Sequence, residues 1–149
     1  MNTVREMLDI KGRDVWSIEP SKSVFQAVEM MAKLEVGALT VVDGDGQLVG
    51  IVSERDYARK VMLKNKSAQE TTIADIMTAG VIVVQNDTTI DSCMGLMSEK
   101  KIHHLPVVEA NQLVGIITAG DLMKFIIQKQ TTDIKELESY IMDETGGSG

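Results

Sequence analysis

The chain's 149 residues carry 15 Lys and Arg against 22 Asp and Glu, a net charge of −7 at pH 7. That balance argues against a general nucleic-acid binder, whose affinity comes largely from basic residues displacing counterions around phosphate, so any anionic ligand needs a locally basic pocket. The length suits one ordinary domain or two small units sharing a core, and with 44% apolar but 3% aromatic residues and ten Met that core must be aliphatic.

The opening MNTVREMLDI holds no apolar run of signal-peptide type. No stretch approaches the roughly 20 apolar residues of a membrane helix, so a cytoplasmic protein without membrane contact is expected. Cys93 is the single cysteine, which excludes an intrachain disulfide and a zinc site of several thiolates. Its neighbours in TTIDSCMGLM place it in a helix packing layer rather than in a nucleophile's setting.

After the short N-terminal segment VREML, the run SVFQAVEMMAKLE sets Val24, Ala27, Val28, Met31 and Leu34 at helical spacing, with Ser21 where an N-cap would stand. ALTVVD and LVGIV are β-branched runs too brief for helices, and DGDG between them is turn chemistry. ERDYARKVMLK reads as a helix beginning near Asp56. The same order then recurs. QLVGIVSERD (residues 47–56) is answered by QLVGIITAGD (residues 112–121), and aligning Gly50 with Gly115 gives an offset of 65 that extends upstream through the whole unit. IADIM answers VREML. TIDSCMGLMSEKK sets Ile90, Cys93, Met94 and Met97 at helical spacing behind Thr88 as the cap, LPVVE is the strand, EANQ makes a turn one residue shorter, and AGDLMKFIIQK is a helix beginning near Asp121.

Each unit therefore reads strand, helix, strand, strand, helix: a half-buried three-stranded sheet with two helices on one face. Such a unit cannot hide its other apolar surface alone, so the expected fold is α/β (α+β), with two β-α-β-β-α repeats packed about a pseudo-twofold axis and two equivalent clefts between them. The expected boundaries are repeat 1 with an N-terminal helix at 1–68, repeat 2 at 69–129, and a C-terminal helix with a flexible tail at 130–149. In that last segment TTDIKELESYIMDE opens on its own cap and carries a stripe of Ile134, Leu137, Tyr140 and Ile141, which either folds back or braces a second copy, while GGSG should be flexible.

Ser53 and Asp56 close one repeated phrase, and Thr118 and Asp121 close the other. A hydroxyl just after a strand with an acid three residues on fits a helix start, where the oxygen caps free N–H groups and the helix dipole favours the carboxylate. The same geometry offers a nucleotide a hydroxyl and N–H groups for phosphate, and a carboxylate for two ribose hydroxyls. Both readings fit one pair; the doubling at equivalent places favours the ligand. Arg55 and Arg59, on the opening turn of the first of these helices, serve either as a solvated face or as phosphate contacts. Adjacent His103 and His104 on a strand point to opposite faces, which weighs against a shared metal ion.

GIVSERD and GIITAGD, each preceded by a helix and a strand of the kind in IHHLPVVE, resemble the glycine, hydrophobic pair, Ser/Thr and Asp signature of cystathionine-β-synthase (CBS) domains. The resemblance runs from Val4 to about Gln128 and implies a tandem pair of the stand-alone bacterial type that binds adenosine derivatives. It implies that Asp56 holds the ribose and Ser53 approaches ribose or phosphate, while Val81 and Ile82 of the opposite unit line the adenine pocket. IHHLPV resembles a phosphate-facing segment with a histidine and then an arginine before Leu-Pro. His103 matches the histidine, and His104 stands at the arginine's place as a weaker cation. In the second site Thr118 and Asp121 play the same parts beside Val15 and Trp16, with Gly37 and Ala38 in place of the two histidines and Thr40 in place of the proline. Lacking its own cations, that site is expected to take a less charged ligand, to borrow a basic group from elsewhere, or to stay empty.

The function expected from this resemblance is a regulatory module sensing adenine nucleotides, AMP first among AMP, ADP and ATP, with NAD(H) and S-adenosylmethionine as further candidates. No cofactor is required; the nucleotide is the regulatory ligand. A homodimer of four units in a disc and an unidentified effector protein are the implied partners. The competing expectation is a structural interaction dimer with no physiological nucleotide. The sequence offers no nucleophile with its base, no acid pair and no metal cluster, so catalysis is not expected.

Overall fold

The computed structural model describes residues 2–144, so the expected flexibility of GGSG lies outside the described residues. The chain runs α1 (Val4–Lys11), β1 (Ser17–Ile18), α2 (Val24–Leu34), β2 (Ala38–Val42), β3 (Leu48–Ser53), α3 (Glu54–Tyr57), α4 (Ile73–Ile76), α5 (Ile90–Lys100), β4 (His104–Glu109), β5 (Gln112–Thr118) and α6 (Ala119–Glu144). The helix expected after Asp56 is a single α turn that widens into a π-helical segment, Ala58–Met62.

The equivalent helices α2 and α5 start later than their sequences suggest. The caps are Ser23 and Thr89, not Ser21 and Thr88. Ser23 Oγ accepts the Gln26 N–H at 3.1 Å while Gln26 Oε1 accepts the Ser23 N–H at 3.0 Å, a reciprocal capping box that Ser21 has no partner to match. Thr89 Oγ1 accepts the Ser92 N–H at 3.1 Å, and the Thr88 hydroxyl is committed instead to the Gln85 N–H at 3.0 Å. Both helices end on a non-glycine residue in the left-handed region, Glu35 at φ 57° and Lys101 at φ 55°.

Among the described residues only the first unit completes a three-stranded sheet: β1 pairs parallel with β2, and β2 pairs antiparallel with β3. The second sheet contains β4 and β5 alone, and its first strand shrinks to one parallel bridge, Val84 to Val107. The reason lies in one residue. In the first unit the Thr40 N–H donates to the Trp16 carbonyl at 3.2 Å, which ties β1 to β2. The equivalent position in the second unit is Pro106, which has no N–H to give, so the ladder cannot extend past Val84. The shorter second hairpin closes through Ala110 and Asn111, both at positive φ (49° and 63°), which is how a two-residue connection follows the strand twist.

Each unit's leading helix packs on the other unit. Val4 and Arg5 donate to the carbonyls of Thr88 and Asn86, and Val4, Met7 and Leu8 share one aliphatic core with Val84, Leu105, Ile117 and Leu122. Conversely, Ile73 and Ala74 donate to Lys22 and Pro20, and Ile73 and Ile76 join the core of Val24, Met31, Leu39 and Val52. Fully burying a side chain such as Leu8 or Ile73 contributes about 1.5–3 kcal/mol, so this exchange clasps the two halves. Cys93 lies in the first of these cores, fully buried on α5.

The exchange also explains the glycine of the repeated phrase. A Cβ at Gly50 would stand 2.6 Å from Met77 Sδ and 3.0 Å from the Thr78 carbonyl oxygen, and one at Gly115 would stand 2.9 Å from Leu8 Cδ1. Leu8 within α1 and Met77 just past α4 stand at equivalent places of the two leading helices, so the glycines are the floor on which each lands.

The chain's last helix does not start afresh near residue 130. α6 continues without interruption from the strand end to Glu144. The Thr131 hydroxyl that was expected to cap a new helix instead donates back to the Ile127 carbonyl at 2.9 Å, a bond that lets Thr sit inside a helix.

Candidate functional site

Ser53 ends β3 and caps α3: its Oγ accepts the Asp56 N–H at 3.2 Å, and Asp56 Oδ2 accepts both the Ser53 N–H at 3.0 Å and its hydroxyl at 3.1 Å. Thr118 and Asp121 repeat the arrangement at the head of α6, with Asp121 Oδ2 accepting the Thr118 N–H at 3.0 Å and Thr118 Oγ1 accepting the Asp121 N–H at 3.0 Å. Both aspartates are therefore caps. A carboxylate has about four acceptor positions, so capping leaves capacity for a ligand.

What lies beside the two aspartates differs. At Asp56 a cavity of about 380 Å³ opens, lined by Ser53, Arg55, Asp56, Val81, Ile82, His103 and His104 among others. These are the residues that the sequence grouped into a first site, and the fold brings them together. Ile51 and Thr78, joined by reciprocal backbone bonds of 3.0 and 2.9 Å, form the seam along which the segment bearing Gly80, Val81 and Ile82 crosses onto the first unit. Asp56 is mostly buried, and Lys60 one turn on holds its Oδ1 at 3.1 Å.

Two features depart from expectation. Gly37 and Ala38, assigned to the second site, line this first cavity instead. The Gly37 carbonyl accepts the Glu54 N–H at 3.0 Å, which pins the segment to the head of α3 beside Asp56. Secondly, both histidines border the cavity rather than facing apart. His103 precedes β4, so strand alternation does not separate it from His104.

His104 is not the weak cation expected. Burial lowers its pKa from the ordinary 6.5, neighbouring His103 and Lys11 push the same way, and Asp121 opposes them without prevailing. At neutral pH it is an uncharged imidazole with one donor and one acceptor. Positive charge comes instead from Arg55 and from Lys101, a residue that the sequence reading passed over. Its signal was positional: Lys101 is the left-handed end of α5 immediately before the histidine segment, and its counterpart in the other repeat, Glu35, bears the opposite charge.

At Asp121 a lysine from the leading helix engages the carboxylate. Lys11, the last residue of α1, directs its Nζ onto the Asp121 carboxylate and also onto the Ile116 carbonyl at 2.6 Å. Burial alone would raise the Asp121 pKa, but the bonds from Lys11 and Thr118 bring it below its ordinary value. A less charged ligand, a borrowed basic group or an empty cleft were the alternatives for this site, and the basic group beside its carboxylate is Lys11 of the leading helix. Val15 and Trp16 sit between α1 and β1; Trp16 is 46% exposed, its carbonyl is taken by Thr40, and neither residue borders the 380 Å³ cavity.

Burial also pushes the Cys93 thiol up to about 11, so at neutral pH it is neither a thiolate nucleophile nor a ligand. No helix among the described residues is long and apolar enough to cross a membrane.

Two pseudo-symmetric units, each ending a hairpin in a hydroxyl-capped helix and together enclosing a partly apolar, locally basic cleft, define a tandem ligand-binding module. The CBS domain family matches residues 5–63 and 73–128, and the chain belongs to it. Among curated relatives, the mitochondrial CBS domain-containing protein CBSX3 of Arabidopsis thaliana is 32% identical over 148 residues, covering 93% of this chain and 71% of its own. Solved structures agree. The CBS domain NE2398 superposes with a TM-score of 0.81 at 40% identity, covering 85% of this chain and 98% of its own. The CBS domain pair of protein MJ0100, solved with 5′-methylthioadenosine and S-adenosyl-L-methionine, gives 0.77 at 30% identity over 87% of this chain and 98% of its own. CBSX2, solved with AMP, gives 0.73 at 27% identity over 87% and 99%. Tandem CBS pairs are regulatory ligand-binding modules.

Proposed function

We propose that this protein is a regulatory module that takes one adenosine phosphate, AMP first, in the cleft at Asp56. The observation that carries the reading is the meeting of three chemistries in a single 380 Å³ cavity: a carboxylate (Asp56), an apolar wall (Val81, Ile82) and two cations (Arg55, Lys101). A carboxylate accepts from both ribose hydroxyls, an apolar wall takes the flat adenine, and cations meet phosphate. The complexes of MJ0100 with adenosyl compounds and of CBSX2 with AMP support the ligand class. Between an adenosine phosphate and S-adenosylmethionine, the paired cations favour the phosphate, because the sulfonium is itself positive. NAD(H) stands behind AMP because its second nucleoside needs more room.

Only the first cleft is proposed as the ligand site. Lys11 holds the second carboxylate, so the expected stoichiometry is one nucleotide per chain. Ligand in the cleft touches both units and so couples their relative position to whatever partner reads the surface. The capping bonds of Asp56 favour one rival reading, in which the aspartates are structural and no nucleotide binds. Isothermal titration separates them: AMP should bind with a stoichiometry near one, and replacing Arg55 and Lys101 with Ala should weaken AMP more than adenosine. No heat with AMP, ADP, ATP or adenosine would leave the structural reading standing.

A further inference from the structure

The Asp56 carboxylate is held at both oxygens. Oδ2 accepts from the Ser53 N–H and hydroxyl, and Oδ1 accepts from Lys60 Nζ at 3.1 Å. The same Nζ donates to the Ile76 carbonyl at 2.8 Å. Ile76 is the last residue of α4 and Met77 after it is already extended, so this carbonyl lies too near the helix end to find an N–H within it, and a lysine meets it instead. One ammonium thus joins the carboxylate of the first unit to the leading helix of the second. Ile76 is also the root of the segment that, past the seam at Thr78, carries Gly80, Val81 and Ile82 to the cavity wall.

Lys60 itself does not line the cavity; it stands behind Asp56. It lies in the π-helical segment, where the Leu63 N–H reaches back to the Ala58 carbonyl at 3.0 Å, a widened turn of a kind frequent at functional sites. Val61 beside it is buried in the core of the first unit and anchors the segment. The second unit is built differently. At the repeat's offset of 65 the residue matching Lys60 is Phe125, and Asp121 draws its lysine from α1, which runs for eight residues where α4 has four.

We propose that Lys60 is a positioning residue for the ligand: it fixes the plane in which Asp56 meets the ribose hydroxyls, and makes that geometry depend on α4 being docked on the first unit. The inference rests on the reading of this cleft as an adenosine phosphate site. A carboxylate already held at both oxygens has little rotational freedom left to lose when a ribose arrives, so less of the binding energy is consumed in ordering it. In return, a ribose engaged on Asp56 strengthens, through Lys60, the hold on α4, which carries ligand occupancy from one unit to the other.

The test is titration calorimetry of the full chain with AMP and with adenosine. Lys60→Met keeps the apolar stem and should weaken both ligands alike, about fivefold, because both carry the ribose. Its Tm should fall by no more than about 2 °C, since the ion pair is half-exposed. In an Asp56→Ala background Lys60→Met should cost no further affinity, the result of a residue that acts through that carboxylate. Hydrogen exchange at saturating AMP reads the link to α4: the Met77 N–H, bonded to the Ile73 carbonyl at 2.8 Å, should be slowed by AMP in wild type and not in Lys60→Met. Unchanged or tighter binding by Lys60→Met, a loss confined to AMP, a further loss in the double variant, or equal slowing at Met77 in both proteins would overturn the proposal. A wild type that binds neither AMP nor adenosine would remove the cleft reading and this inference with it, whereas wild-type binding with an unaffected Lys60→Met would remove this inference alone.

Discussion

Asp56 is the residue at which capping and ligand binding can be separated by magnitude. Asp56→Ala removes the acceptor for the Ser53 N–H and hydroxyl and the ion pair with Lys60. Loss of such a cap costs about 1 kcal/mol, and the Lys60 pair, with the lysine side chain 45% exposed, adds at most a few tenths after solvent screening. For a chain of this size, a loss of that order lowers Tm by about 2–5 °C. Binding should fall further. Hydrogen bonds to a charged group contribute about 1.5–3 kcal/mol, so losing the ribose acceptor should weaken AMP about 10- to 150-fold. Asp56→Asn is the control: its amide oxygen can keep accepting from Ser53, so Tm should recover most of its loss while affinity stays well below wild type. Titration calorimetry with AMP and thermal denaturation of the same three proteins give both numbers. If Asp56→Ala binds AMP within about twofold of wild type while Tm falls as stated, below the effect of even one weak hydrogen bond, the carboxylate is a cap only and the ribose assignment is refuted.

Lys11→Met should free the Asp121 carboxylate, and calorimetry should then register a second, weaker nucleotide site; a stoichiometry still near one would show that more than Lys11 closes that cleft. Gly50→Ala should destabilise by about 1–3 kcal/mol, as overpacking does, and Gly115→Ala by less. The first meets the Thr78 carbonyl, fixed by its bonds to Ile51, whereas the second meets only the movable end of Leu8; urea denaturation ranks them, and a reversed order would contradict the packing described. The lowered pKa of His104 means that the unfolded chain takes up this proton first as pH falls. Its contribution is complete above the unfolded value of 6.5 and is lost as pH drops toward the folded one. His104→Gln should therefore flatten the loss of denaturation midpoint between neutral pH and about pH 5, and an unchanged slope would place the titration elsewhere.

The repeat, its glycines, the hydroxyl-acid pairs and the aliphatic core were written in the sequence, because each is a local pattern: periodicity, turn chemistry and capping act between residues a few positions apart. The grouping of Asp56 with Val81, Ile82 and His103 came from the family resemblance that the doubled signature carries, not from spacing or periodicity. Tertiary packing decided what distinguishes the halves. Lys11 reaches Asp121 across 110 residues of chain only because α1 crosses onto the opposite unit, and no spacing rule records that crossing. Lys101 becomes a cleft residue because the left-handed end of α5 turns it there, and Gly37 and Ala38 join the first cavity because the head of α3 holds them. Pro106 was visible throughout, yet its effect on the sheet emerged only once its counterpart, Thr40, was seen donating to Trp16. Two nearly identical phrases thus end in one carboxylate beside a cavity and one bound by Lys11, because long-range contacts act on each copy separately.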